Sequence, residues 1–87
     1  MDTAKEQLRI WAGERQLLPM VSKEKKLLVR CISGEGYLRV MTQTHRQLLR
    51  PGDTTILPGG EIATLSGIET MLVEVKQLSQ DANQYDC

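Results

Sequence analysis

The sequence predicts an all-β fold, a compact barrel or sandwich of about eight short antiparallel strands. Apolar and polar residues alternate along short segments, most clearly in TMLVEVKQ at 70–77, so alternate side chains there would face one side of a sheet. Glycine, proline and polar residues separate these segments at intervals of roughly 8 to 10 residues, a spacing typical of small β-proteins. The chain has 87 residues, 40% of them hydrophobic, which fits one small globular domain.

The predicted strands follow one another closely, and each ends at a turn-forming residue or a polar run. Pro19 places the second strand at a sheet edge or a bulge, because proline has no N–H to donate to a neighbouring strand. Apolar residues at helical spacing within 3–16 leave a helix as the alternative for the first strand. Residues 1–78 are expected to form a single domain, and the polar residues 79–87 a flexible tail. The predicted strands are 7–11, 16–21, 27–32, 37–42, 47–49, 54–57, 61–65 and 70–77.

The charges are unevenly divided, although the formal net charge is zero. Residues 1–50 contain ten Lys or Arg and five Asp or Glu, whereas residues 51–87 contain one and six. Such an asymmetry is compatible with a nucleic acid or an acidic partner. We prefer a structural interpretation, because strands from the two halves interleave in a β-fold and their charges can pair across strands.

Several classes of protein are not expected. No apolar run approaches the roughly 18 residues of a membrane helix, and the first residues, MDTAKEQLR, lack the apolar stretch of a secretory signal. The expected location is the cytoplasm, with no membrane partner. Cys31 lies in an apolar run and is expected to be a buried thiol, with a disulfide to Cys87 as the alternative. A closed zinc site, which needs about four ligands at close spacing, is not expected of a chain with one histidine.

The residues do not predict a catalytic centre. His45 lies in the polar segment QTHR, and no serine or aspartate is spaced so as to give it an oriented nucleophile and a third group. We expect a solvated loop histidine. The segment Gly34–Gly36 looks like half of a phosphate loop, but Arg39 stands where the motif needs glycine, so a hairpin turn is the better interpretation. No catalytic residue and no cofactor is predicted.

The most specific motif is LLRPGDTTILPGGE at 48–61, in which glycine and proline mark both ends of a short strand. Gly52 permits a positive φ in the first turn. Pro58 ends the strand because it has no N–H to pair, and Gly59 and Gly60 let the chain reverse. A slip of one residue would turn the core side chains outward, so these two stops fix the register of the strand.

The pattern Gly-x5-Pro-x-Gly at 52–60 resembles the second signature of the cupin superfamily, whose members are small jelly-roll β-barrels. The flanking segments agree, since LVRCISGEGYLRV resembles the strand, glycine turn and strand before that signature, and TMLVEVKQ resembles the closing strand. The resemblance covers residues 27–77. It implies a compact cupin-like jelly-roll barrel or sandwich.

The metal ligands of that family are missing at the matching positions. Where metal-binding cupins carry the histidine of the second signature, this chain has Ala63, and Gly67 replaces the asparagine four residues later. The glutamate of the first signature falls at Leu27, and its histidines fall within 20–23, where none is present. Transition-metal sites need such ligands converging on one point. The resemblance therefore implies a domain that binds no metal.

The residues at the ligand positions also predict how the barrel is filled. If Leu27 and Ala63 point inward, as ligands would, strand alternation places further apolar residues inside. The interior is then a packed core rather than an open polar pocket, and burial of apolar surface stabilises it by about 25 cal/mol per Å². The additional inward residues are Val29, Cys31 and Leu65.

The exterior is therefore expected to carry the contacts with partners. Leu28 and Ile32 make the outer side of one strand apolar too, which predicts that a second copy covers it in a homodimer. Aromatic side chains dominate interface hot spots, and residues 37, 39 and 41 share one side of a predicted strand. Ordinary packing in the core or at its rim is the alternative. The candidate binding residues are Trp11, Tyr37, Arg39 and Met41.

The first functional hypothesis is a non-catalytic, metal-free cupin-like domain that acts through protein–protein contacts, for example as a regulatory accessory protein. The second is a small polar or sugar-like ligand in a residual pocket, with or without metal-independent catalysis. A deep pocket of converging polar side chains would favour the second, and a solid apolar barrel the first. The third is nucleic-acid binding through the basic half, where aromatic residues for stacking are few, since the chain has one tryptophan, two tyrosines and no phenylalanine. The identity of the partner or ligand does not follow from the sequence.

Overall fold

The structure is a computed structural model, and it describes residues 5–79. That part of the chain contains strands and turns and no helix, which confirms the all-β prediction. In the described part of 3–16 the helical alternative is wrong, because residues 6–10 and 15–16 pair with other strands. The strands are β1 (Glu6–Ile10), β2 (Arg15–Leu17), β3 (Lys25–Ser33), β4 (Gly36–Val40), β5 (Arg46–Leu49), β6 (Thr54–Pro58), β7 (Ala63–Gly67) and β8 (Met71–Ser79).

The eight strands form two antiparallel sheets of four strands each. The first sheet has the order β1-β8-β3-β6, and the second has the order β2-β7-β4-β5. Each sheet therefore combines strands from both halves of the chain, as the predicted jelly roll requires. The interleaving also places strands of the basic half of the chain beside strands of the acidic half.

The largest difference between a predicted and an observed strand boundary is at the end of β2. The second strand was expected at 16–21, but β2 is only three residues long and ends at Leu17. Pairing with β7 finishes where the Leu18 N–H donates to the Ala63 carbonyl at 2.9 Å, and Pro19 follows at once. β2 is an edge strand, as the proline predicts. The predicted tail, 79–87, lies outside the described residues except for Ser79, which ends β8.

The core lies between the two sheets and is made of apolar side chains. The predicted inward residues are all buried, including Leu27 at 3% and Ala63 at 2% exposed. Among the residues whose side chains the structure describes, no polar or charged side chain is buried. A barrel filled in this way has no open polar interior. The buried residues are Ile10, Leu18, Val21, Leu27, Val29, Cys31, Leu38, Val40, Leu49, Leu57, Ala63, Leu65, Met71, Val73 and Val75.

The two turns that enclose β6 act as the motif at 48–61 predicts. Gly52 has a φ of 94°, in the left-handed region that favours glycine. The turn is closed by Asp53, whose N–H donates to the Arg50 carbonyl at 2.9 Å and whose carboxylate accepts from the Arg50 N–H at 2.9 Å. Pro58 is the last residue of β6. The register that results pairs residues 54–58 with 30–26 of β3.

Cys31 is a fully buried thiol, as predicted. Its Sγ lies 3.2 Å from the carbonyl oxygen of Gly34, to which the thiol donates. Burial raises the pKa of the Cys31 thiol above its ordinary value, and the carboxylates of Asp53 and Glu35 raise it further. The thiol is therefore held in its neutral form, which is a poor nucleophile.

We expect the raised pKa of Cys31 to make the fold less stable at alkaline pH. Between the ordinary and the raised thiol pKa, the unfolded chain has lost the proton that the folded chain retains, so stability falls as pH rises through this window. Urea unfolding of wild type and Cys31→Ala should show it, because the variant lacks this contribution. The expectation fails if the stability difference between the two proteins stays the same from neutral to alkaline pH.

Candidate functional site

The barrel interior does not offer the residues of a metal centre. The positions at which metal-binding cupins carry ligands hold the buried apolar side chains of Leu27 and Ala63, and Ser22 and Lys23 point to the exposed surface. Within residues 5–79, no group of three or more His, Cys, Asp and Glu side chains is placed to hold a metal ion. Residues 5–79 therefore do not provide the group of ligands with which metal-binding cupins hold a metal ion. His45 is exposed and lines a separate pocket of about 210 Å³ at the barrel edge.

A candidate binding surface instead lies on the outer side of the second sheet. Strand register aligns its outward residues in two rows: Arg15, Ser66 and Tyr37 in one, and Leu17, Thr64, Arg39 and Arg46 in the other. These side chains surround a pocket of about 310 Å³. We call this surface the arginine face, and the six residues that define it are Arg15, Leu17, Tyr37, Arg39, Met41 and Arg46.

The positive charge of the arginine face is not compensated. Arg39 of β4 lies directly opposite Arg46 of β5, and like charges in this arrangement destabilise a sheet. No acidic residue lines the pocket, and no carboxylate in the described part of the chain forms an ion pair with either guanidinium. On the first sheet, by contrast, Arg30 lies opposite Glu74, as cross-strand charge pairing predicts. The arginine face is therefore suited to an anionic ligand.

An aromatic ring orients one of the two guanidinium groups. The Arg46 guanidinium carbon lies 4.0 Å from the centroid of the Tyr37 ring, within the range of a cation–π contact. Such contacts contribute about 0.5–1 kcal/mol at exposed sites. Thr64 and Ser66 of β7 also line the pocket, between Arg15 of β2 and Arg39 of β4. Hydrogen-bond donors from four strands thus line one depression on the outer side of the second sheet.

One end of the arginine face is apolar and exposed, with Leu17 and Met41 in the face and Ile62 beside them. Leu17 is 61% exposed, Met41 58% and Ile62 47%, which is unusual for side chains of this kind. Leu17 and Ile62 also line a second depression of about 510 Å³, which lies between the edge strands β1 and β2. We call it the apolar groove, and it is lined further by Leu8, Leu18, Pro19 and Met20.

The structure brings three of the four candidate binding residues together. Tyr37, Arg39 and Met41 all line the pocket of the arginine face. Trp11 does not, because it follows β1 of the other sheet, where its exposed ring lies 5.7 Å from the Arg9 guanidinium. Arg46 of this face was not among the candidates. Alternation within one strand reveals residues 37, 39 and 41, but only strand pairing reveals what lies beside them.

We expect Arg39→Glu to stabilise the fold by about 0.5 kcal/mol, because it replaces a like-charge cross-strand pair with an opposite-charge pair. The contact between Arg46 and Tyr37 is kept in this variant. Urea unfolding followed by far-UV circular dichroism measures the change, and Arg39→Gln should give an intermediate gain. A loss of stability in both variants would show that Arg39 is compensated and would contradict the description of the face.

Comparisons with known proteins concern the whole fold. No protein-family model matches the chain, and no curated protein sequence matches it. Among solved structures, ectoine synthase from P. lautus is 25% identical, with a TM-score of 0.72 over 99% of this chain and 62% of that one. The Cnp3 cupin domain of Schizosaccharomyces pombe is 15% identical, with a TM-score of 0.71 over 98% of this chain and 58% of that one.

A third structure, a protein with a double-stranded β-helix domain from Klebsiella pneumoniae, is 19% identical, with a TM-score of 0.73 over 93% of this chain and 70% of that one. This chain thus spans about six tenths of the length of the first two structures. This chain therefore has a cupin-like fold, that of a double-stranded β-helix.

Proposed function

We propose that this chain is a non-catalytic binding domain that docks onto a partner protein through the arginine face, in the manner of a regulatory accessory protein. One observation carries the proposal. The interior is filled with apolar side chains, whereas the outer side of the second sheet presents uncompensated arginines beside exposed apolar residues. Binding outside the barrel fits this arrangement better than chemistry inside it.

The composition of the arginine face supports a protein partner. Protein interfaces are enriched in tyrosine, methionine and arginine, and their hot spots are enriched in tyrosine and arginine. Tyr37, Met41 and Arg46 bring all three residue types to one exposed surface.

The enzymatic alternative has less support. Structural relatives include ectoine synthase as well as the Cnp3 cupin domain, so the fold is compatible with both classes. A metal-independent enzyme still needs polar groups that converge in a pocket. Among residues 5–79, the imidazole of His45 has no hydrogen-bond partner, and the interior contains no buried polar side chain.

Nucleic-acid binding is also less well supported. Single-stranded nucleic acids stack their bases on aromatic side chains along a basic groove. Tyr37 is the aromatic residue that lines the arginine face, and its ring is already covered by the Arg46 guanidinium. Phosphate contacts alone would give binding without sequence preference and with a strong salt dependence.

The expected homodimer would use a different surface. Two arginine faces related by a twofold axis would bring like charges together, which disfavours this arrangement. The outer side of the first sheet has exposed apolar residues instead, with Leu28 of β3 directly opposite Ile56 of β6. Ile56 is 52% exposed and Ile32 38%. We propose this side as the contact between two copies.

Photo-crosslinking tests both surfaces with small perturbation of the fold. p-Benzoyl-phenylalanine would replace Met41 on the arginine face in one protein and Ile56 on the first sheet in another, since both side chains are exposed. After irradiation in native lysate, we expect the Met41 position to give an adduct with a second, acidic protein. The Ile56 position should give an adduct with another copy of the chain.

Three results would contradict the proposal. The Met41 position could give no adduct, only an adduct with another copy, or the same adducts as the Ile56 position. Each of them would mean that the arginine face does not select a partner protein. Size-exclusion chromatography with light scattering on the wild-type chain gives the oligomeric state independently.

A further inference from the structure

We infer that the arginine face and the apolar groove form one continuous site for a partner segment in which a block of acidic residues adjoins a block of apolar residues. This inference rests on the proposed function and specifies the chemistry of the partner. The acidic block would lie over Arg39 and Arg46, and the apolar block would lie in the groove between β1 and β2.

The two depressions share part of their lining. Leu17 and Ile62 border both the pocket of about 310 Å³ and the groove of about 510 Å³. Leu17 ends the edge strand β2, so a segment that leaves the groove passes over Leu17 directly onto the arginine face. The surface is therefore continuous from its apolar end to its basic end.

The strand register gives the length of the partner segment that would cross the arginine face. Leu17, Thr64, Arg39 and Arg46 form one row across β2, β7, β4 and β5. With strands about 4.8 Å apart, three strand spacings make the row roughly 14 Å long. An extended chain rises about 3.3 Å per residue, so about four residues cross the face. Carboxylates among them would lie within reach of both guanidinium groups.

Charge complementarity favours carboxylates over neutral polar groups in this block. Arg39 and Arg46 repel each other, and an anion between them removes this repulsion and adds charge-assisted hydrogen bonds. Tyr37 holds the Arg46 guanidinium against its ring at 4.0 Å, which reduces the ordering that binding requires. Arg15 lines the same pocket and extends the positive surface toward β2.

The apolar block is favoured by the composition of the groove. Leu17 and Met20 line it, and each of these side chains is 61% exposed. Covering such side chains stabilises a complex, because it removes apolar surface from water. Glu6 also lines the groove, and its negative charge disfavours an acidic block at this end. The order of the two blocks on the surface is thereby fixed.

The test uses synthetic peptides of one composition and different order. Fluorescein-labelled peptides with equal numbers of glutamate and leucine would carry them as two blocks, in either chain direction, or in strict alternation. Fluorescence anisotropy measures their binding to the full chain. We expect one block peptide to bind about tenfold more tightly than the alternating peptide. A peptide in which serine replaces every leucine should bind about tenfold more weakly than that block peptide.

Variants of the chain separate the two halves of the site. Arg39→Gln with Arg46→Gln should weaken the block peptide about tenfold and lower its salt dependence. Met20→Ser should weaken it and leave the salt dependence unchanged. Arg9→Gln, on the other sheet, is the matched control and should change neither quantity. All four side chains are exposed, so the fold should tolerate these changes.

Several outcomes would overturn the inference. They are equal binding of the block and alternating peptides, no binding at about 1 mM peptide, or full competition by inorganic phosphate or citrate, which would indicate a small-anion site only. If the Met41 crosslink still identifies a partner protein, the proposed function stands without this inference. If the Met41 position gives no such adduct, the proposed function itself fails, whichever peptide binds.

Discussion

Replacing Gly59 by alanine is expected to lower the free energy of unfolding by about 3 kcal/mol or more. A Cβ atom at this position would overlap the main-chain oxygens of Ser22 and Lys25. Both are backbone atoms at the start of β3, where the Lys25 N–H, in the first residue of the strand, donates to the Ser22 carbonyl of the preceding turn at 3.0 Å. Room can therefore be made only by moving this turn away from the end of β6.

Gly52 provides the control within the same motif. Its φ is 94°, but no atom lies within 4 Å of an added Cβ, so Gly52→Ala introduces backbone strain without overlap. We expect a loss of about 1 kcal/mol. Urea unfolding followed by far-UV circular dichroism measures both variants. If Gly59→Ala were as stable as Gly52→Ala, close packing of the turn against the end of β6 would be wrong.

The second large effect is expected in the barrel interior. Leu65 lies in the middle of β7, between β2 and β4, and is 0% exposed. Leu65→Ala removes buried apolar contacts and leaves a cavity, which should lower the free energy of unfolding by about 2–5 kcal/mol. The same measurement of urea unfolding applies.

Leu17→Ala is the matched control for the interior, because Leu17 is 61% exposed on the neighbouring strand β2. Its stability should stay within about 0.5 kcal/mol of wild type. A loss of less than about 1 kcal/mol for Leu65→Ala would mean that water already fills the space around Leu65. The interior would then be an open lumen, and the apolar filling on which the proposed function depends would be wrong.

The fold could be predicted because its signals are local in the sequence. Gly52 and Pro58 mark the two ends of β6 within one short segment. The resemblance to cupins places Leu27 and Ala63 inward, and alternation then places Val29, Cys31 and Leu65 on the same side, where all five are buried. The observed end of β2 lies four residues before the predicted end at residue 21. LLPMV looks like a strand, but pairing with β7 stops at Leu18 and Pro19 cannot extend it.

The arginine face could be predicted only in part, because it is assembled by strand pairing. Residues 37, 39 and 41 follow from alternation in one strand, whereas the position of Arg46 opposite Arg39 depends on the β4–β5 register. Trp11 is a candidate because of its residue type alone, and it lies beside Arg9 on the other sheet. Cross-strand pairing, which is one of the two interpretations of the charge asymmetry, fits the first sheet. Arg30 and Glu74 lie opposite each other, but the arginine face has no acidic counterpart.

The most direct test of the account compares two charge-reversed proteins in capture from native lysate. One carries Arg39→Glu and Arg46→Glu on the arginine face, and the other carries Arg9→Glu and Lys76→Glu on the first sheet. Both pairs change the net charge equally, and urea unfolding confirms that each variant is folded. We expect the first variant to lose the acidic protein that crosslinks at Met41 and the second to retain it. Capture of that protein by both variants at wild-type levels would contradict the central claim that the outer side of the second sheet carries the binding.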